Sequence, residues 1–170
     1  MYDYQFGTLN QLLTSLFPAF EKVFWLDAGH ARWSIMAMII LFGFGTPMLL
    51  YISSIRSIPT SYYEAAEMDG ASSFQKFLYI TSPQVSPITF YILVTGLIGT
   101  LQNFTVFQVM TNGNPPSTLM PVLLIYKYSG GDYGMFYGLA SAMAIILGLL
   151  IALLTAINFI VSRKWVHYES

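Results

Sequence analysis

The sequence predicts an all-α membrane protein with three transmembrane helices, and three observations predict it. Of 170 residues, 55% are hydrophobic and 9% are charged, whereas a soluble domain carries roughly 25% charged residues. Seven basic and eight acidic side chains are too few to cover a water-soluble body of this length. The charges are also clustered. Between Arg32 and Arg56 lie 23 uncharged residues, between Lys76 and Lys127 lie 50, and between Asp132 and Arg163 lie 30. A helix needs about 20 apolar residues to cross a bilayer core of about 30 Å. The runs are continuous rather than alternating, which does not suit a membrane barrel. A net charge of -1 argues against a nucleic-acid partner, and with no cysteine there is no disulfide or thiolate chemistry.

In chain order, residues 1–32 form an amphipathic segment that stands apart from the spans. Leu12, Leu13, Leu16, Phe17, Phe20 and Phe24 recur near helical spacing between Leu9 and Phe24, which predicts a helix lying at the interface or against the bundle. The first span is expected over 33–55, where Gly43, Gly45, Thr46 and Pro47 loosen or kink it. The second is expected over 87–110, closed by Asn112, Gly113, Asn114, Pro115 and Pro116, with a short apolar piece following at Leu119 to Tyr126. The third is expected over 136–161, with a small-residue packing face that includes Gly138, Ser141 and Gly148. Placing 56–76 and the C-terminus on the cytoplasmic side sets Arg56, Lys76, Arg163 and Lys164 against Lys22, Arg32 and Lys127, a slight positive-inside preference. That orientation leaves the N-terminus outside with no helix to carry it there, so upstream helices are expected.

The polar stretch 58–83 between the first two spans reads as helix–Gly–helix. Thr60 or Ser61 offers an N-cap, with Glu64 near the capping-box position. Gly70 offers a left-handed stop, and a second helix runs from Ser72 or Ser73 to about Tyr79 before Pro83 ends or kinks it. Glu67 reads as solvated, and Asp69 as either solvated or hydrogen-bonded.

The run Glu64-Ala65-Ala66, then Gly70, Ile80 and Pro83, resembles the E-A-A loop of permease subunits in bacterial binding-protein-dependent ABC importers, with Ser82 where the family usually has Leu. Ser57-Ile58-Pro59, Met68-Asp69-Gly70-Ala71, Thr111-Asn112-Gly113-Asn114-Pro115 and Gly138-Leu139-Ala140-Ser141-Ala142 look like the sugar-importing, MalF-like branch, with Asn114 where that branch often has Gly. So does the C-terminal run from Ser162 to Glu169. The resemblance extends over essentially the whole chain and matches only the C-terminal half of a permease.

The resemblance implies a multi-pass protein of the bacterial inner membrane. It implies three partners beyond the lipid: an ABC ATPase subunit, a second permease subunit and an extracytoplasmic substrate-binding protein. Glu64, Ala65, Ala66, Asp69 and Gly70 would form the coupling element seated on the ATPase subunit. ATP would be bound by that partner; this chain has no phosphate loop of its own and is expected to hold no cofactor and to be a transport subunit rather than an enzyme. On the second span, Thr100 and Asn103 share one helical face, with Gln102 beside it. Uncharged amides suit a sugar, and they equally suit helix packing. The spans carry no ionisable acid or base, and His30 and His167 fall on opposite sides, so no metal site is expected. A second expectation stands beside the importer: a truncated, non-transporting membrane piece of such a permease.

Overall fold

The computed structural model describes residues 1–18, 21–163 and 165–166. Expectations for Phe20, Lys164, His167 and the end of the run from Ser162 to Glu169 fall outside them. The described chain is mostly helical, with one isolated bridge, Ser129 to Met135, and no strand among the described residues. It divides into two compact units, Met1–Phe42 with Leu101–Leu147, and Gly43–Thr100 with Gly148–Ser170.

Two stretches are long and apolar enough to cross a membrane. The first, Ala31–Ser57, runs through α2 (Ala31–Gly43) and α3 (Gly45–Ser57), which meet at Phe44. Two glycines flanking one residue, with Pro47 in the next turn, weaken the helix at that point. The other is α10, Tyr137–Ser162, in which no residue of the most apolar window is buried. A third candidate is a bent pair. Ser73–Gln84 and α7 (Ser86–Leu101) meet at 60° across Val85.

In the first unit, α1 (Thr8–Leu16) is shorter than the sequence pattern predicts. Pro18 cannot continue a helix, and Phe17 has already left it with φ -131 and ψ 89. Leu12, Leu16, Phe17 and Phe24 remain exposed. The residue that anchors the segment is polar. Asn10 is fully buried. Its Nδ2 donates to the carbonyls of Tyr4 at 3.2 Å and Val23 at 3.0 Å, and its Oδ1 accepts from the Val23 amide at 3.3 Å and from Trp25 Nε1 at 2.9 Å. The Tyr2 hydroxyl donates to the Ser34 carbonyl at 2.6 Å and so ties the segment to α2. Asn10→Ala leaves several half-buried partners unpaired together, each at up to about 1–3 kcal/mol. The expected result is rapid proteolytic cleavage near residues 17–24 and a red-shifted Trp25 emission.

The same unit has a core of Ile35, Phe107 and Leu123, flanked by Leu26, Ile39, Phe104 and Met110. It joins α2 to α8 (Thr105–Thr111) and α9 (Pro121–Tyr128). The second expected span, 87–110, is therefore not one helix. It stops at Leu101 and resumes at Thr105. The physical reason is packing: Phe104 turns into this core and lies edge-on to Tyr126 at 5.1 Å between centroids. Such a contact outweighs the modest helix preference of Gly96, Gly99, Thr100 and Asn103.

Candidate functional site

The polar stretch 58–83 folds as a tight helical hairpin in the second unit. Helix α4 spans Thr60–Met68. Its N-cap is Pro59, without a side-chain cap bond, rather than Thr60 or Ser61. Proline lacks the amide that a helix start would leave unpaired and has φ preset near -65°; here φ is -60. The helix ends in a Schellman motif: the Gly70 amide donates to Glu67 O at 3.0 Å and the Ala71 amide to Ala66 O at 2.9 Å. That motif requires a left-handed residue, and Gly70 has φ 74. Ser72 then opens α5 (Ser73–Lys76) with a capping box, its Oγ accepting from the Gln75 amide at 3.4 Å while Gln75 Oε1 accepts from the Ser72 amide at 2.7 Å. A π-turn at Phe77–Thr81 leads into α6 (Ser82–Gln84). Helix thus continues past Pro83, and the bend falls at Val85.

Four of the five candidate coupling residues, Glu64, Ala65, Asp69 and Gly70, are exposed, and Ala66 is half-buried. The carboxylates of Glu64 and Asp69 accept no hydrogen bond from the described residues. The hairpin also shows apolar side chains to its surroundings: Met68 is 91% exposed, and Phe74, Phe77 and Tyr79 are also exposed. Glu67, expected to be solvated, instead pairs with Lys76, Oε1 to Nζ at 2.7 Å. That hydrogen bond and charge hold the Glu67 carboxyl below its ordinary range. Opposite charges nine residues apart carried this signal, but only a turn at Gly70 and Ser72 brings them together.

The three residues read as a polar path do not lie on one continuous helix. Thr100 sits in the last turn of α7, its hydroxyl donating back to Gly96 O at 2.8 Å. Gln102 and Asn103 fall in the non-helical stretch before α8, Gln102 exposed and Asn103 half-buried, and neither amide bonds another described residue. Sequence pattern missed two grooves between α3 and α7. One, of about 460 Å³, is lined by Ser53, Ser54, Ser57, Gln84 and Tyr91 among others. The other, of about 270 Å³, is lined by Thr46, Tyr91 and Thr95 with Pro47 and Gly96. Between them they present hydroxyl, phenol and amide groups and no charge. The Tyr51 hydroxyl donates to Thr89 Oγ1 at 3.0 Å and fixes α3 against α7 near the bend. Phe90 packs edge-on to Phe159 of α10 at 4.9 Å and to Trp165 at 6.4 Å.

The end of the first unit has its own polar cluster. Lys127 closes α9, is only 6% exposed, and donates from Nζ to Asp132 Oδ2 at 2.8 Å. Asn112 Nδ2 donates to the same oxygen at 3.2 Å. The Tyr133 ring lies 5.3 Å from Nζ. The Asp132 carboxyl is held low, first by the Lys127 hydrogen bond and charge and then by Asn112. Asn112 ends α8 in the left-handed conformation (φ 49), followed by Gly113 at φ 74. A Cβ at Gly113 would stand 2.7 Å from Leu119 Cδ1, which would have to move aside, and the φ of 74 is what calls for glycine at this turn.

These features coincide with strong similarity to known proteins. The profile of the family described as "Binding-protein-dependent transport system inner membrane component" matches residues 8–167. The chain is 34% identical over 168 residues to the probable ABC transporter permease protein YesP of Bacillus subtilis, covering 96% of this chain and 53% of that protein. It is 30% identical over 174 residues to the maltose/maltodextrin transport system permease protein MalF of Escherichia coli K12, covering 96% of this chain and 34% of that one. Its fold matches a chain of a bacterial ABC transporter involved in import of the acidic polysaccharide alginate, with TM-score 0.80 at 21% identity, covering 96% of this chain and 57% of that chain. The chain spans between a third and about half of the length of these relatives. With the family profile matched over nearly its whole length, the chain belongs to the binding-protein-dependent transport system inner membrane components, the permease family of ABC importers.

Proposed function

We propose that this chain forms part of the membrane path of an ATP-driven importer for a sugar or related carbohydrate, and that the hairpin 60–84 seats on a separate ATPase subunit. The observation that carries the reading is the hairpin itself: an exposed acid, Glu64, one turn into α4, on a hairpin that also exposes Met68 and Phe74. A free carboxylate on an element that also exposes apolar side chains fits a partner surface with a basic group in an apolar cleft. ATP belongs to that partner. A second permease subunit and an extracytoplasmic binding protein complete the assembly, and the chain traverses the inner membrane several times.

The sugar path is assigned to the break at Gln102–Phe104. Helix α7 has 16 residues, about 24 Å, which falls short of a hydrocarbon core of about 30 Å. Backbone that leaves the helix at membrane depth survives only where protein or a watery cavity satisfies its polar groups, and interrupted helices mark substrate sites in transporters. Asn103 and Gln102 offer amide donors and acceptors there, and Thr100 lies one turn earlier.

Purification from native membranes tests the assembly. The protein is expected to arrive with an ATPase subunit and a second permease. Recovery of the chain alone would overturn the importer reading and leave a non-transporting membrane piece. Asn103→Leu tests the path: sugar uptake is expected to fall about tenfold, the cost of one or two lost polar contacts, with the assembly intact. Unchanged uptake would remove Asn103 from the path.

A further inference from the structure

We propose that Tyr63, Glu67, Lys76 and Thr81 are positioning residues that clasp the hairpin into one lever, so that movement of α4 is delivered to the bend at Val85. The proposal rests on the coupling role of the hairpin and adds the means of transmission. Two rungs cross between the arms. The outer is the ion pair of Glu67 with Lys76 at 2.7 Å, and the inner is the hydrogen bond of the Tyr63 hydroxyl with Thr81 Oγ1 at 2.9 Å. On α4, positions 63 and 67 are four apart and share one face. On the other arm, positions 76 and 81 are five apart. In an α-helix five residues overshoot a full turn by about 140°, and only one of the two could face α4. The π-turn at Phe77–Thr81 reduces the mismatch, because an i→i+5 turn winds less per residue and carries residue 81 back toward the face of residue 76. The wide turn is thus what allows two rungs instead of one.

Between the arms, the turn is already closed by the Schellman motif at Gly70 and the capping box at Ser72. Beyond the inner rung the helix continues without a break to Gln84 and meets α7 at 60°. A clasped hairpin is therefore stiff up to Val85 and free to change angle there. Lys76 is 19% and Glu67 64% exposed at the side chain. A pair this open adds little to stability, so removing it leaves the fold standing while loosening the lever.

The test uses the complete transporter, with this chain and all its partners, reconstituted in lipid. The chain has no cysteine, so Met68→Cys and Tyr79→Cys accept spin labels selectively once accessible cysteines of the partners are replaced, and import is read in parallel samples without labels. In Glu67→Gln and in Tyr63→Phe, the label distance distribution is expected to broaden. Sugar imported per ATP hydrolysed is expected to drop by up to about fivefold, the population change one exposed ion pair commands, with the ATPase subunit still co-purifying. The exchanged pair, Glu67→Lys with Lys76→Glu, is expected to narrow the distribution and restore the yield. An unchanged distribution in the single variants, or no rescue by the exchange, would overturn the clasp. Broadened distances with an unchanged yield would overturn its part in transmission. A parallel Glu64→Lys sample that still couples would instead overturn the coupling role of the hairpin, which the distance measurement does not depend on.

Discussion

Glu64→Lys is expected to abolish ATP-driven uptake while the protein still inserts in the membrane. Glu64 lies on the exposed face of α4, with neither a hydrogen bond nor an ion pair to the described residues. Its replacement therefore costs the fold almost nothing, and any effect is an effect on a partner. If the carboxylate meets a basic group in the ATPase cleft, lysine removes the attraction and adds a like-charge clash. Breaking one such seated pair lowers affinity on the order of 30-fold or more. ATPase subunit recovered per permease, together with uptake, measures it. Glu64→Gln is expected to fall between the two, since it keeps shape and loses charge. Full coupling in Glu64→Lys would overturn the coupling role of the hairpin.

The second large effect is an asymmetry between two partners. Asp132→Ala is expected to destabilise the first unit far more than Lys127→Met. Asp132 is half open to water, while Lys127 is almost wholly covered. Removing the acid leaves an ammonium buried without its counter-charge, which is strongly unfavourable; removing the lysine leaves a carboxylate that water can reach. Methionine also keeps the packing against Tyr133. Protease resistance of residues 101–136 in detergent measures both. The pair sets a pH dependence as well. The Asp132 carboxyl titrates lower when folded than when unfolded. Its contribution is complete above the ordinary carboxylate range and fades as pH falls through the lowered folded value. Asp132→Asn is expected to flatten that acid limb.

Charge spacing alone made the helices legible. The uncharged gaps ahead of Arg56 and Arg163 contain the two long spans, because a charged side chain inside the bilayer is expensive wherever the fold places it. The hairpin was equally legible, since Gly70, Ser72 and the alanines act through local backbone preferences. What escaped was everything decided by contacts distant in sequence. Phe104 breaks the second span for the sake of a core built from Ile35 and Leu123, and no periodicity announces that. Asn10 reads as one polar residue on an amphipathic helix until Tyr4, Val23 and Trp25 close around it. Glu67 looked solvated because its partner stands across a turn. The grooves along α3 and α7 combine hydroxyls from two helices, neither of which is notably polar alone.

The unequal lengths of α7 and α10 have a consequence for the surrounding lipid. At 16 and 26 residues, they measure about 24 and 39 Å. The helix α7 is short of a bilayer core of about 30 Å by itself and α10 exceeds it. A thick bilayer suits α10, and a thin one forces it to lean. The composition of the membrane therefore becomes a determinant of how α10 is inclined.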